Sequence, residues 1–147
     1  MSLSDDDKLL SFYNQELLAL ASQAMMPARL DDPVLTAHAV SPICGSEVDV
    51  DLVVQDSHII SFGYDVEACA LTRAVVTIMK RAIIGKTRAE VAQAGAALSE
   101  MLAGGAAMPQ DDWQALQILA PVRDYKARHN SILLPFEAVE RAFKNSI

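Results

Sequence analysis

Cys44 and Cys69 are the two cysteines of the sequence, and the residues around them suit a reactive or metal-ligating thiol. Gly45 follows Cys44, so the backbone can turn tightly there and leave the sulfur clear. Cys69 stands where an alternating run gives way to a helical pattern, at a predicted helix N-terminus, where the dipole favours a thiolate. Thiolates are the ligands that zinc and iron–sulfur clusters require. His129 also falls at a predicted helix N-terminus, three residues before Ile132 and roughly on the core-facing side. His38 lies six residues before Cys44, in a connector where a histidine is most often structural or simply exposed. The spacing of the two cysteines has no motif value by itself and fits two unlinked residues equally well. No Gly-rich phosphate loop, His-Glu-x-x-His or Gly-x-Ser-x-Gly is present, so phosphate-loop, zincin and nucleophile-elbow chemistries have no support.

The elements that must position these thiols begin with two alternating runs. Val48, Val50, Leu52 and Val54 alternate with Glu47, Asp49 and Asp51, and Ile60, Phe62, Tyr64 and Val66 alternate with Ser61, Gly63 and Asp65. Period two with one apolar face predicts a β-hairpin, with Gln55, Asp56, Ser57 and His58 as its turn. Antiparallel pairing brings the outer ends of the two strands together, so Cys44 and Cys69 are placed at one end of the sheet.

Before the hairpin, Ser4 with Asp7 resembles a capping box, and Leu10, Tyr13, Leu17 and Ala21 predict a helix over residues 8–25, ended by Met26-Pro27. Residues 29–40 read as an irregular connector with Asp31-Asp32-Pro33 as a turn. After it, a helix is expected over residues 67–84, with Leu71, Val75, Ile78 and Ala82 as its apolar stripe, Asp65 as a possible cap and Gly85 in the C′ position. Thr87 and Glu90 form a capping box for a third helix that buries Val91, Ala94, Leu98, Met101 and Leu102. A short helix carrying Trp113, Leu116 and Leu119 follows, closed by Ala120-Pro121. A last helix carries Ile132, Phe136, Val139 and Phe143, with Pro135 expected in its first turns or at a kink. Val50, Leu52, Phe62, Leu71, Val75, Ile78, Phe136 and Val139 are predicted to share one core. This order of elements predicts an α+β fold, a small antiparallel β-sheet with helices packed on one face, in one domain over residues 1–147.

Bulk properties narrow the class. The chain of 147 residues is 52% hydrophobic and 21% charged, which is the balance of a globular protein and not of a disordered one. No apolar run approaches the ~20 residues of a membrane span. The acidic N-terminal stretch Asp5-Asp6-Asp7 is unlike a basic targeting peptide, so a soluble, cytoplasmic protein is expected. In a reducing compartment two cysteines are expected to be free, metal-bound or reactive in preference to forming a structural disulfide. A net charge of −7 argues against nucleic-acid binding. Residues 71–90 nevertheless hold five bases and one acid. Such a patch is read first as a solvated helix face and second as a docking surface for an acidic partner.

Three motifs in order then resemble the iron–sulfur cluster assembly scaffold family of the NifU N-terminal, IscU and SufU type. Ser41-Pro42-Ile43-Cys44-Gly45-Ser46 is similar to that family's Asn-Pro-x-Cys-Gly-Asp, Ala68-Cys69-Ala70-Leu71-Thr72-Arg73-Ala74-Val75 to its Gly-Cys-x-Ile-x-x-Ala-Ser, and His129-Asn130-Ser131-Ile132-Leu133 to its His-Cys-Ser-Ile-Leu. The likeness runs from about residue 42 to 143, and the approach to the third motif through Arg128 is most similar to the SufU-like branch.

The resemblance implies metal or cluster binding through Cys44 and Cys69, with His129 as a third ligand. Two family ligands are replaced, the Asp after Cys-Gly by Ser46 and the third cysteine by Asn130. Serine and amide groups are poor substitutes at zinc or iron. An open position would remain for water, His38, Asp65 or a partner's ligand. It further implies an iron–sulfur cluster, [2Fe-2S] in type, or zinc as the bound group. The implied partners are a cysteine desulfurase and recipient iron–sulfur proteins, and a homodimer could share one cluster between two pairs of cysteines. Three functions follow: a scaffold or carrier with no enzymatic activity, a zinc-associated sulfur acceptor of the SufU kind with Cys69 or Cys44 as nucleophile, and a metal-free protein that only docks partners through its basic helix.

Overall fold

The computed structural model describes residues 15–42 and 45–145. Within them the chain forms α1 (Gln15–Ser22), β1 (Leu35–Val40), β2 (Glu47–Gln55), β3 (His58–Glu67), α2 (Ala70–Ala82), α3 (Arg88–Leu102), a 3-10 helix (Asp111–Asp124) and α4 (Lys126–Lys144). The predicted capping box at Ser4, the stripe residues Leu10 and Tyr13, and Cys44 itself lie outside the described residues.

The hairpin forms as the alternation predicts. β2 and β3 pair antiparallel with Val48 opposite Val66, Val50 opposite Tyr64 and Leu52 opposite Phe62. Asp56 and Ser57 turn the chain with φ of 52° and 68°, the left-handed pair that a two-residue hairpin loop needs. A third strand joins them. The segment 29–40, read from sequence as an irregular connector, contains β1, which pairs antiparallel with β2 and completes the sheet order β1-β2-β3. Its inward residues are Leu35, Ala37 and Ala39, all buried. The two alanines give a weak alternation signal, yet opposite Val50 and Val48 they pack as well as larger residues elsewhere.

Helices cover the inward face. α4 lies across β1 and β2 and also meets α2 and α3, and α1 packs on α2. Val50, Leu52, Leu71, Val75, Ile78, Phe136 and Val139 join one core, with Phe62 half-buried against it. The capping box of α3 forms, with the Thr87 hydroxyl accepting from the Glu90 N–H and the Glu90 carboxylate accepting from the Thr87 N–H.

Element ends differ from the expectations in four places. β3 continues through Glu67, held opposite Glu47, so α2 starts at Ala70 with Cys69 as N-cap. Asp65 is therefore a strand residue opposite Asp49 and does not cap the helix. Gly85 has φ of 87°, but the C-cap of α2 is Ile83, so the glycine sits two residues past it. The short helix does not close at Pro121: it runs as 3-10 structure to Asp124, and α4 begins soon after at Lys126. Pro135 is consequently deep inside α4 and buried, not in its first turns.

Candidate metal centre

Cys69 sits where β3 hands over to α2. Its backbone is extended, with φ of −69° and ψ of 170°, its carbonyl already accepts from the Arg73 N–H, and its side chain caps no backbone group. Cys69 is thus the N-cap residue of a helix, the end at which backbone N–H groups lack helical partners. Thr72, three residues on, shares that helix face. The half-buried Cys69 Sγ is 3.7 Å from the Thr72 hydroxyl and 3.8 Å from that of Ser131.

Ser131 comes from the first third of α4, and Ser46 from the loop between β1 and β2. The Ser131 hydroxyl is 2.5 Å from that of Thr72 and 3.2 Å from that of Ser46. Thr72, Ser131 and Ser46 are all buried. The loop is drawn in by backbone hydrogen bonds, Ser41 N–H to the Ser46 carbonyl at 2.8 Å and Gly45 N–H to the Ser41 carbonyl at 2.9 Å. Gly45 accepts φ of 73° in doing so, a conformation open to glycine at no steric cost. In the same loop the Ser41 hydroxyl is fully buried and has no hydrogen-bond partner among the described residues. The loop that carries Cys44 therefore enters the Cys69 site through its described member Ser46.

Pro135 leaves the Ser131 carbonyl open to a donor from this site. Proline has no N–H, so the carbonyl four residues earlier has no donor within the helix. That carbonyl belongs to Ser131, and the Thr72 hydroxyl donates to it at 3.1 Å. The helix keeps its course through proline because α2 supplies the missing donor.

None of the remaining sequence candidates among the described residues is a hydrogen-bond partner of the Cys69 sulfur. The His129 Nε2 is 3.2 Å from the Val122 carbonyl oxygen, and the ring lines a hollow with Leu102, Gly104, Arg123 and Lys126. Donation from Nε2 leaves Nδ1 as the nitrogen able to ligate. Arg128 is half-buried, and Asn130 is exposed beside the buried Ser131. His38 and Asp65 lie on the other face of the sheet, both in register with Asp49. There the His38 Nδ1 is 2.8 Å from Asp49 and its Nε2 is 3.3 Å from Glu47. Hydrogen bonding to Asp49, and then the charges of Asp49 and Glu47, hold the His38 imidazolium to higher pH than usual. Thr72 and Ser131 are the site residues that sequence reasoning missed. The signals present were Thr72 at three residues from Cys69 and Pro135 at four residues from Ser131.

The donor set decides what the site can hold. Cys69 offers a soft thiolate, whereas the hydroxyls of Ser46, Thr72 and Ser131 hydrogen-bond to sulfur better than they ligate zinc or iron. Among the described residues no group of three His, Cys, Asp or Glu converges on a point. Cys69 by itself cannot complete a tetrahedral site, so further ligands must come from Cys44, from His129 or from outside this chain.

With this geometry in view, comparison with known proteins is specific. The profile of the NifU-like N terminal domain family matches residues 17–132. The crystal structure of a nitrogen-fixing NifU-like protein (N-terminal) from Brucella abortus is 36% identical and superposes with a TM-score of 0.86, over 93% of this chain and 95% of that one. A protein described as a SUF-system iron–sulfur cluster assembly scaffold from Fervidobacterium islandicum AW-1 shares the fold at 20% identity. Its TM-score is 0.81 over 90% of this chain and 96% of that one. The iron–sulfur cluster assembly scaffold protein IscU of Thermotoga maritima is 21% identical over 132 residues, 90% of this chain and 92% of the relative. The chain belongs to the NifU-like N-terminal domain family.

Proposed function

We propose that this member of the NifU-like N-terminal family is a scaffold or carrier in iron–sulfur cluster assembly. It would hold a nascent cluster, or the iron or sulfur for one, through Cys69 and Cys44. The observation that carries this reading is the half-buried Cys69 sulfur at a helix N-terminus, beside the hydroxyl of Ser131 of α4, which in turn hydrogen-bonds Ser46 of the loop that bears Cys44. Such a setting leaves the sulfur accessible and gives it two hydroxyl neighbours, Thr72 and Ser131. His129, with Nδ1 available, is the third candidate ligand, and Asn130 and Ser46 mark positions where this chain has no strong donor. An incompletely ligated cluster is easily passed on, which is what a carrier requires. A cysteine desulfurase and a recipient iron–sulfur protein are the partners this reading needs, and a second copy of the chain would supply the missing thiolates.

The internal contacts of the basic helix weigh against the docking alternative. Arg73 donates to the Ala68 and Ala24 carbonyls, Lys80 to the Gln23 carbonyl and Arg81 to the Gln23 side chain, while Lys86 pairs with Asp112 and Arg88 with Glu140. The five bases of residues 71–90 are thus engaged within the chain.

Anaerobic reconstitution with ferrous iron and sulfide tests the proposal. Wild type is expected to develop the visible absorption of a cluster, and Cys44→Ala and Cys69→Ala to lose it. A cluster retained in both variants would sink the assignment. Tight zinc with no cluster in wild type would favour the sulfur-acceptor function instead.

A further inference from the structure

Thr72 and Ser131 stand beside Cys69 with fewer protons than acceptors. Thr72 has one hydroxyl proton and three acceptors in reach: the Ser131 carbonyl at 3.1 Å, the Ser131 hydroxyl at 2.5 Å and the Cys69 sulfur at 3.7 Å. Ser131 also has one proton, with the hydroxyls of Thr72 and Ser46 and the same sulfur around it. Both side chains are fully buried, so bulk water does not supply a missing donor. A free thiol brings its own proton and fills one of these contacts, which leaves Thr72 for the carbonyl. A sulfur bound to metal has no proton and only accepts. It then competes with the Ser131 carbonyl for the same hydroxyl.

Pro135 creates this competition. Any other residue at 135 would cap the Ser131 carbonyl from within α4 and release Thr72. We propose that the Thr72 hydroxyl is a positioning group for the Cys69 sulfur, shared between that sulfur and the Ser131 carbonyl that Pro135 deprives of a helical donor. The inference rests on the reading that Cys69 ligates metal. Hydrogen bonds to a ligating sulfur withdraw electron density from it and tune the metal it holds. Thr72 acts through Cys69 and touches no reacting atom.

Cobalt(II), bound in place of zinc or iron, tests this through its sulfur-to-cobalt charge-transfer absorption. Thr72→Val removes the donor, raises the energy of the sulfur lone pairs and is expected to move the band to longer wavelength. Pro135→Ala supplies an N–H to the Ser131 carbonyl, frees Thr72 for the sulfur and is expected to move the band the opposite way. Thr72→Ser retains a hydroxyl and is expected to restore the wild-type position. A structural role alone gives no such opposition of sign. If Thr72→Val does not fold, Pro135→Ala, which favours helix, carries the test with Thr72→Ser as its control. A band that depends on Cys69 but stays put in these variants, or moves the same way in Thr72→Val and Pro135→Ala, overturns the inference alone. A band absent from wild type, or surviving in Cys69→Ala, overturns the metal-ligating reading and the inference with it.

Discussion

Ser46 shows what one side chain decides at this centre. It occupies the place where the resemblance expects an aspartate, is buried, and lies hydrogen-bonded to Ser131 next to Cys69. Ser46→Asp would put a carboxylate into a site with no described cation. Without metal it is expected to cost about 1–3 kcal/mol in a denaturant titration, and zinc is expected to restore the loss by ligation. Asn130→Cys adds a thiolate from the neighbour of Ser131, and the double variant is expected to retain more zinc against a chelator than wild type. Retention no better than wild type would show that position 130 does not serve the site. The residue scale also carries a pH dependence. His38 is held charged by Asp49 and Glu47, so its raised value contributes stability that is present below its ordinary 6.5 and fades as pH rises through the folded value. His38→Gln is expected to flatten the stability profile above about pH 6.5; the ion pair is half-exposed, so the effect is small.

At the scale of elements, the outer face of the sheet is held by the segment that leads into β1. Asp51 is fully buried there, accepting from Arg29 at 2.7 Å and 2.9 Å, from Thr36 at 2.8 Å and from the Leu30 N–H at 3.1 Å. The Arg29 hydrogen bond, more than any other partner, holds the Asp51 carboxyl below its ordinary value of 3.8. The stability this gives is present above that value and lost as pH falls through the lower folded value. Gly63 permits the close approach: a Cβ there would stand 2.8 Å from the Ala28 carbonyl oxygen and the Leu30 nitrogen. Gly63→Ala is expected to displace residues 28–30 and cost about 2 kcal/mol. The measurement is urea unfolding, with hydrogen exchange at Leu30 as the local report. On the inner face, Phe136 packs against Trp113 with ring centroids 5.5 Å apart. Phe136→Ala is expected to cost about 3–5 kcal/mol, and a loss under about 1 kcal/mol would contradict its place in the core.

Across the whole molecule, the basic side chains of α2 attach α1. Arg73 reaches the Ala24 carbonyl at 2.8 Å and Lys80 the Gln23 carbonyl at 2.9 Å, just past the end of α1, where helix carbonyls lack partners. Leu17 and Leu20 of α1 complete the core on that side, and Thr77 donates to the Leu20 carbonyl at 2.6 Å. Arg73→Met is expected to lower hydrogen-exchange protection in α1 while amides of β2 and β3 stay protected. Equal loss throughout would show that α1 opens only with the whole fold.

The sequence by itself determined the hairpin, the α+β class with helices on one face, the α3 capping box and the arrival of Cys69 at a helix N-terminus. Each is a local pattern of period or capping, readable over a few consecutive residues. Local pattern also puts Asp65 on the outer face, because it alternates with the buried Tyr64 and Val66. β1 escaped because Ala37 and Ala39 are inward-facing without being conspicuously hydrophobic; only pairing with Val50 and Val48 makes them core. The start of α2 moved because Glu67 is kept in β3 by its cross-strand partner Glu47. Tertiary structure alone decided the surroundings of the sulfur. Ser46, Thr72 and Ser131 come from a loop and two helices far apart in sequence, and no local period records that three hydroxyls will meet. Pro135 is the telling case. Read along the chain it interrupts a helix, but packed against α2 it frees the Ser131 carbonyl for Thr72, because a donor missing in one element can be replaced only by another element folded against it.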